Sequence, residues 1–255
     1  MNKTTSENRV RTTEKTFRII HALKEQDGAR ITTLANSLDM GKSTVHNHLS
    51  TLVHEGYVIK QDKEYQLSLQ FLELGGYIRN QLDLYKIAKP EIKRLAEETS
   101  ELANLAVCEQ GALIYIDRSK GDQAVDLDTY TGLQVPLHCT ALGKAILAYM
   151  PREEVESVLD RHGMPKLTSN TISNRQNLYQ ELEQIREDGF AQDQGERLEG
   201  LCCVAAPIKS SEDAVKGAIS VSAPSSRMKS DRYNREIPEK VRSAANVIEL
   251  NLKYS

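Results

Sequence analysis

The first 56 residues constrain the fold more than any other part of the chain, because apolar residues recur there at helical spacing in three short stretches. The stretches cover residues 13–26, 32–38 and 42–55, and Gly56 ends the last one. Thr13 is placed to cap the first helix. The predicted apolar faces consist of Phe17, Ile20 and Leu23 in the first helix, and of Val45, Leu49 and Leu52 in the third. Short amphipathic helices joined by tight turns predict a small three-helix unit.

The turn before the third helix and the segment after it indicate a winged helix-turn-helix. Ala35 is small enough to let the third helix pack closely, and Gly41 tolerates unusual backbone angles in the turn. Two short strands are predicted next, at Tyr57–Gln61 and Glu64–Leu67, with a polar turn between them. Such a hairpin is typical of a wing. The predicted boundaries are residues 9–68 for the winged helix-turn-helix and residues 69–83 for a linker helix.

The face of the third helix opposite its apolar stripe is polar and carries no acidic residue before Glu55. Short hydrogen-bonding side chains on one helix face can reach base edges in a major groove. The candidate DNA-binding residues are Ser43, Thr44, His46, Asn47 and Ser50 on this helix, Lys42 at its start, Lys60 and Lys63 on the wing, and Arg9 and Arg11 on an N-terminal arm. A solvated helix in an ordinary bundle, or a winged helix that contacts proteins, would show the same pattern.

The net charge of −3 does not by itself favour a nucleic-acid partner. Residues 1–64 hold ten Lys and Arg against eight Asp and Glu, a net of +2, whereas the remainder holds 23 against 28, a net of −5. This mild contrast permits DNA binding by the N-terminal part. No apolar run approaches the ~18 residues that a membrane span needs. Residues 1–10 also lack the apolar core of a secretory leader. We therefore expect a cytoplasmic protein with no membrane partner.

From about residue 84 the pattern changes to pairs of short strands with helices between them. Strands are predicted at residues 102–108, 112–118, 125–130, 201–209 and 215–223. Helices are predicted from Pro90 to Thr99, from Thr140 to Met150, from Pro151 to just before Gly163, from Leu178 to Asp188, and from Pro238 to Lys253. Antiparallel strand pairs combined with helices indicate an α+β domain over residues 84–255.

Four ordered motifs, taken together, resemble the IclR family of transcriptional regulators. They are residues 41–52, which look like its recognition helix; residues 65–75, its passage from wing to linker; residues 136–145, the start of an effector-domain helix; and residues 189–208, its signature with Asp193, Glu196, Gly200 and Cys203. Residues 244–251 are similar to archaeal members. Ser68 stands where a glycine is common, and Lys209-Ser210 departs from the usual end of the signature.

The resemblance implies a GAF-like sensor domain, with a six-stranded antiparallel sheet and a ligand cavity. It also implies dimers, often paired into tetramers, that act at promoters as repressors or activators. The effector that it implies is a small organic or aromatic acid. The residues that it places against this effector are Ala141, Leu142, Asp193, Cys203, Ser220 and Ser222.

The chemistry of these residues supports part of the assignment. Amides at a helix start suit a carboxylate. Ser220 and Ser222 lie two apart on a predicted strand and therefore share a face, although a solvated sheet face would also carry them. Asp193 would repel an acidic ligand unless it is protonated or paired. The adjacent Glu196 and Arg197 are interpreted as an ion pair.

The cysteines raise two alternatives. His138, Cys139, Cys202 and Cys203 invite a metal site, but no CxxC spacing is present, and adjacent cysteines on a strand point to opposite faces. We predict no metal and no cofactor. A Cys203 nucleophile, with His138 as base and Asp193 orienting it, would make a hydrolase or acyl-transfer enzyme fused to a DNA-binding domain. No catalytic signature surrounds these residues, so we predict a regulator and not an enzyme.

The predicted protein is thus a sequence-specific DNA-binding transcription regulator. Its expected partners are double-stranded promoter DNA, a small-molecule effector, and further copies of the chain in a homodimer or homotetramer. A non-specific architectural DNA binder is disfavoured, because such a protein has no use for a sensor domain of this size.

Overall fold

The computed structural model describes residues 9–210, 212 and 214–254. Residues 1–8, which hold most of the segment predicted to lack a secretory leader, lie outside the described part. The chain divides into two compact units, residues 1–78 and 79–255, and each is considered by itself. Within the described ranges, no helix has the length and apolar character that crossing a membrane requires.

The first unit is the predicted three-helix unit with a wing. Its elements are α1 (Arg11–Glu25), α2 (Ile31–Leu38), α3 (Lys42–His54), β1 (Val58–Gln61) and β2 (Glu64–Leu67). The two strands form an antiparallel hairpin, in which Val58 pairs with Leu67 and Gln61 with Glu64. An isolated bridge between Ala29 and Tyr65 ties the connection after α1 to the wing.

The buried face of the first helix agrees with the predicted one at Leu23, and Ile20 packs partly against the core, but the prediction for Phe17 was wrong. The helix begins at Arg11 with no side-chain cap, so Thr13 lies inside it. The buried residues are Ile19, Ala22 and Leu23, whereas 55% of Phe17 is exposed. Phe17 and Ile19 are two residues apart, about 200° around a helix, so packing of the i, i+3, i+4 set against α2 and α3 turns Phe17 outward.

The helix after the wing is α4 (Gln70–Gln81), which contains the boundary between the two units. None of its residues is buried. The next helix, α5 (Asp83–Thr99), begins seven residues before Pro90, so the prediction that Pro90 opens a helix was wrong. Pro90 and Lys86 both lie on the exposed side of α5, where solvent can satisfy the Lys86 carbonyl that proline leaves without a donor.

The second unit is built on a six-stranded antiparallel sheet with strand order β5-β4-β3-β8-β7-β6. The strands are β3 (Leu102–Glu109), β4 (Ala112–Lys120), β5 (Gln134–Val135), β6 (Ala191–Gln194), β7 (Leu201–Lys209) and β8 (Val215–Pro224). The helices are α5, α6 (Ala141–Leu147), α7 (Arg152–His162), α8 (Arg175–Asp188) and α9 (Ile237–Lys253), with a π-helical turn at Arg232–Glu236. The predicted α+β class and antiparallel sheet are confirmed.

Both faces of this sheet are covered. One face packs against α5 and α9, and the other lies towards α6 and α8. Strands that are buried on both sides are apolar along nearly their whole length rather than alternating. Strand β7, which lies between β8 and the edge strand β6, fits this pattern, since its residues from Leu201 to Ile208 are all buried. A polar side chain within such strands therefore stands out as a candidate for function.

The predicted strand at residues 125–130 was wrong, because no described residue there joins the sheet. The edge of β4 is instead taken by residues 132–135, through bonds from Gly132 N to Tyr115 O and from Tyr115 N to Leu133 O, and through β5. Smaller differences occur elsewhere: α6 ends at Leu147 rather than Met150, α8 begins at Arg175 rather than Leu178, and β6 was not predicted.

Candidate functional site

The outward face of α3 presents the polar side chains predicted to contact DNA. Val45 and Leu49 are fully buried in the core of the first unit, which fixes the rotation of the helix and leaves its opposite face in solvent. Thr44 lies at the edge of this face and is half-buried. The exposed side chains are Lys42, Ser43, His46, Asn47 and Ser50.

His48, on the same helix, is directed towards α1. Its Nδ1 lies 2.8 Å from Thr16 Oγ1. Burial, together with the nearby charge of Lys15, lowers the pKa of His48 and favours its neutral ring. This contact ties α3 to α1 and holds the polar face in one orientation.

The wing and the N-terminal residues add exposed cations. Lys60 and Lys63 are both exposed, and Lys60 Nζ lies 5.5 Å from the centroid of the Tyr65 ring. Arg9 Nε is 3.3 Å from Glu14 Oε1. Arg11 was predicted to belong to an N-terminal arm, but it is the first residue of α1, because this helix begins two residues earlier than expected.

In the second unit, a small cavity lies between the start of α6 and the face of β7 and β8. Its volume is about 10 Å³, room for a single water molecule. The cavity brings together all six residues predicted to contact an effector, namely Ala141, Leu142, Asp193, Cys203, Ser220 and Ser222, and adds Tyr115, Leu127, Thr129, Thr140, Arg197 and Leu201.

A larger groove of about 690 Å³ runs past Cys108, Met150 and Arg186. None of the predicted effector residues lines it. The smaller cavity differs from this groove because Ser220 lines it, and Ser220 Oγ is a buried polar atom with no hydrogen-bond partner in the described part of the chain. Volume alone does not identify a binding site.

The helix start at the cavity is built as predicted. Thr140 is the N-cap of α6, and its hydroxyl accepts a hydrogen bond from Gly143 N at 3.0 Å. Ala141 and Leu142, the first two helical residues, are buried. Gly143 is required here, since a Cβ at this position would overlap the backbone of Leu137.

Sheet register sets the polar floor of the cavity. Asp193 pairs with Cys203, and Cys203 pairs with Ser222, so these three side chains form a row across β6, β7 and β8. Asn104 pairs with Ser220 in the neighbouring row. Directly paired residues of an antiparallel sheet share a face, which brings chemistry from distant parts of the chain to one surface.

Two polar atoms on this floor have no hydrogen-bond partner in the described part of the chain. They are Ser220 Oγ and Asn104 Oδ1, both almost fully buried. Ser222 differs, because its Oγ accepts a hydrogen bond from Asn104 Nδ2 at 3.3 Å. A buried polar atom without a partner is costly, so a cluster of them indicates a place for a polar ligand.

Asp193 is the acidic group of the cavity. Its Oδ1 accepts a hydrogen bond from Glu196 N at 2.7 Å. Burial raises the pKa of Asp193 to about 7, against the opposing effects of that hydrogen bond and of the Lys144 and Arg197 charges. Near neutral pH a large fraction of this carboxyl is protonated, which reduces its repulsion of an acidic ligand.

The predicted Glu196–Arg197 ion pair was wrong. Glu196 is paired with Lys144, whose side chain is 1% exposed and whose Nζ also lies 2.8 Å from Glu181 Oε1. Burial disfavours the Lys144 ammonium, but the two carboxylates outweigh it and raise the pKa of Lys144. Arg197 turns the other way, and its Nη2 lies 2.7 Å from Asp128 Oδ2. Neighbours in sequence point to different partners because the turn after β6 separates their side chains.

The cysteines carry no activated thiol. Cys203 faces the cavity, and its burial raises the pKa of the thiol well above the ordinary value. His138 Nε2 is engaged 3.1 Å from Pro165 O. Nucleophilic cysteines need a lowered pKa, so this geometry does not support the Cys203 hydrolase. Cys202 packs in the cluster on the opposite face, and nowhere in the described ranges do three potential metal-binding side chains converge.

Sequence reasoning missed three polar residues that line the cavity, namely Tyr115, Thr129 and Arg197, and also Asn104, which donates a hydrogen bond to Ser222. A signal existed for Asn104, since it is the one amide within the apolar run of β3. Arg197 was noticed but given the wrong partner. Its true partner, Asp128, belongs to the segment 121–133 between β4 and β5, which was interpreted as a strand.

Both units of the chain match known protein families. Residues 12–62 match the family model described as the IclR helix-turn-helix domain, and residues 77–250 match the bacterial transcriptional regulator IclR C-terminal model. The chain is 33% identical over 240 residues to the "Probable HTH-type transcriptional regulator ArcR" of Halobacterium salinarum, covering 92% of this chain and 91% of that one.

Solved structures show the same fold. The IclR protein of Thermotoga maritima superposes with a TM-score of 0.77 at 28% identity, covering 96% of this chain and 99% of that one. An IclR homologue from Microbacterium hydrocarbonoxydans, solved with 4-hydroxybenzoate, superposes with a TM-score of 0.76 at 22% identity, covering 94% of this chain and all of that one.

Proposed function

Since the chain belongs to the IclR family of transcriptional regulators, with a helix-turn-helix DNA-binding domain and a C-terminal ligand-binding domain, we propose that a small acid bound in its cavity controls its affinity for promoter DNA. The hydrogen-bonding face of α3 enters the major groove, and Lys60 and Lys63 on the wing contact phosphates. The proposed domain boundaries are residues 9–68, 69–83 and 84–255.

The observation that carries the ligand proposal is the unpartnered Ser220 Oγ in the cavity. This hydroxyl is 1% exposed and lines the cavity. A ligand oxygen would give it the hydrogen-bond partner that it lacks among the described residues. The neighbouring Ser222, Asp193 and Cys203 complete the floor, and Ala141 and Leu142 form the opposite wall.

The effector is proposed to be a small organic or aromatic acid. The Microbacterium hydrocarbonoxydans homologue was solved with an aromatic acid, 4-hydroxybenzoate. Binding alone does not regulate, because the effector must have different affinities for the DNA-competent and DNA-incompetent states. A tenfold change in DNA affinity needs only ~1.4 kcal/mol of such coupling.

Selection from a random-sequence DNA pool, followed by gel shifts, tests the DNA-binding half of the proposal. The selected site should bind roughly a thousandfold more tightly than scrambled DNA at physiological salt. Equal affinity for selected and scrambled DNA would contradict a sequence-specific regulator.

A Ser220→Ala variant tests the ligand-binding half. The substitution removes a hydroxyl that has no partner, so stability and DNA affinity should stay within about 0.5 kcal/mol of wild type. Calorimetric titration with 4-hydroxybenzoate and other small acids, with and without DNA, should show a weakened response. Ser222→Ala is the matched comparison, and it should also destabilise the domain, because it leaves Asn104 Nδ2 without an acceptor. An unchanged response in Ser220→Ala would mean that the effector binds elsewhere.

A further inference from the structure

An ion pair lies at the border of the cavity. Arg197 is the sole cationic side chain among the described residues that line the cavity, and 12% of it is exposed. Its guanidinium binds Asp128, whose side chain is 65% exposed. Asp128 itself does not line the cavity, but its neighbours Leu127 and Thr129 do. Residues 127–129 therefore form part of one wall, and the bond from Arg197 to Asp128 ties this part to the rest of the site.

The wall is the part of the cavity that can move at least cost. The other sides are strands of a six-stranded sheet and the buried helix α6, whereas residues 125–130 form no ladder with the sheet. They are held by side chains: Arg197 to Asp128, Lys120 to Asp126, and Arg118 to the carbonyl of Thr129. A volume of about 10 Å³ admits no organic acid, so this segment must shift for one to enter.

The chemistry at Arg197 favours a specific exchange. A guanidinium that is mostly withdrawn from water binds a carboxylate through paired, charge-assisted hydrogen bonds. Asp128 is a carboxylate that can leave cheaply, because most of its side chain is already in solvent and an exposed ion pair contributes little to stability. A ligand carboxylate that enters from the cavity side would accept hydrogen bonds from the same guanidinium N–H groups of Arg197.

We propose that Arg197 anchors the carboxylate of the effector and that Asp128 occupies this anchor until the effector displaces it, which releases residues 125–130. The proposal rests on the proposed function and specifies it: the effector carries an ionised carboxylate, and its far end reaches the unpartnered Ser220 Oγ. Neutral analogues of the same shape do not bind in the cavity, because they cannot displace Asp128 from Arg197 and the wall stays in place.

Alkylation of Cys203 tests the anchor without knowledge of the natural effector. Iodoacetate and iodoacetamide have nearly the same size and the same leaving group, and differ in a carboxylate against a neutral amide. The Cys203 thiolate on the cavity floor attacks the methylene carbon of either reagent and expels iodide, and mass spectrometry of peptides from the labelled full-length chain gives the rate at each cysteine. Cys108, a half-buried cysteine outside the cavity, supplies the reference rate, so the readout is the iodoacetate-to-iodoacetamide ratio at Cys203 divided by that at Cys108.

Asp128→Asn should raise this ratio about two- to fivefold, because the amide frees Arg197 from an exposed ion pair. Arg197→Gln should lower it roughly tenfold relative to Asp128→Asn, because the charge-assisted bonds to the probe are lost, and Arg197→Lys should keep part of it. Asp126→Asn is the matched control: it breaks an ion pair of the same segment without touching Arg197, and it should leave the ratio unchanged.

The proposal is overturned if the ratio is the same in wild type, Asp128→Asn and Arg197→Gln. It is also overturned if Asp126→Asn raises the ratio as much as Asp128→Asn does, because the loss of one negative charge, and not the freeing of Arg197, would then explain the change. Gel shifts on the same variants separate the two proposals. If the labelling ratios are as expected but acids do not change DNA affinity, the Arg197 anchor stands and the effector-controlled regulator is rejected. If acids change DNA affinity but the labelling ratios do not differ among the variants, only the anchor is rejected.

Discussion

Asp193 has a buried carboxyl group, and its ionisation lowers the free energy of unfolding. Its pKa is raised to about 7 from an ordinary 3.8, chiefly by burial. Between these two values the folded chain binds a proton that the unfolded chain lacks. The resulting stabilisation is fully present below pH 4 and is lost as the pH rises through 7. Three pH units correspond to roughly 4 kcal/mol, an upper figure for one carboxyl.

Asp193→Asn should remove this dependence, since the amide stays neutral and keeps an oxygen to accept from Glu196 N. The free energy of unfolding of the variant should therefore increase relative to that of wild type as the pH rises from 5 to 8. Thermal unfolding of both proteins across this range measures the difference. Asp83→Asn, at an exposed position of α5, is the control and should run parallel to wild type. Parallel curves for Asp193→Asn would show that this carboxyl is ionised at neutral pH.

Asn47 and Lys63 separate base recognition from phosphate contact. Both are exposed, one in the middle of the polar face of α3 and the other on the wing. Asn47→Ala should weaken binding to the selected site by about 1–3 kcal/mol and relax the preference at one base pair. Lys63→Ala should weaken binding to all sequences and reduce the salt dependence by about one unit. Asn36→Ala, at an exposed position of α2, should do neither. Gel shifts over a salt series distinguish the three, and identical losses on selected and scrambled DNA for Asn47→Ala would exclude base contact.

At the scale of helices and strands, the features that could be predicted from the sequence are those that depend on residues close together in the chain. The stripe of Val45 and Leu49, the cap at Thr140 and the shared face of Ser220 and Ser222 each follow from residues within one turn or strand. Arg197 and Asp128 are 69 residues apart, and Asn104 and Ser222 are 118 apart. Such pairings depend on strand order and on the loop between β4 and β5, neither of which local spacing encodes. The same limit explains the wrong strand at 125–130, where alternating side chains serve a cavity wall and its ion pairs instead of a ladder.

Two helical glycines show how differently the elements tolerate change. A Cβ on Gly143 would overlap the Leu137 backbone, and all seven residues of α6 are buried, so the helix has no room to shift. Gly143→Ala should therefore destabilise the second unit by about 3 kcal/mol or more. Gly76, in the unburied helix α4, has no atom within 4 Å of such a Cβ.

Gly76→Ala should stabilise α4 by up to about 1 kcal/mol, because alanine loses less backbone entropy in a helix. Melting temperatures and amide exchange of the two variants provide the measurement. The pair is informative because the substitution is the same and only the surroundings differ. A tolerated Gly143→Ala would mean that the start of α6, and with it one wall of the cavity, is looser than its packing indicates.

At the scale of the whole molecule, one copy of the chain presents a surface that a lone regulator would not need. Leu69, Leu72, Tyr77 and Ile78, in or next to α4, are between 62% and 82% exposed. Large apolar side chains that are exposed together along one short stretch, rather than scattered singly over the protein, indicate an interaction surface. One winged helix also spans too few base pairs for genomic specificity, and a second copy supplies another half-site. We propose that this surface joins two copies of the chain, with a tetramer as a pair of such dimers.

Leu72→Glu should weaken that association, since burying a leucine contributes about 1.5–3 kcal/mol and a buried unpaired carboxylate costs more. Light scattering at micromolar concentration should give a dimer or tetramer for wild type and a shift towards monomer for the variant, with a parallel loss of affinity for the selected DNA. Leu167→Glu, at an exposed leucine in the second unit well outside α4, controls for the added charge and should change neither. A wild-type chain that is monomeric in solution and binds its DNA site as a single copy would contradict the proposal, because specificity would then have to come from one winged helix alone.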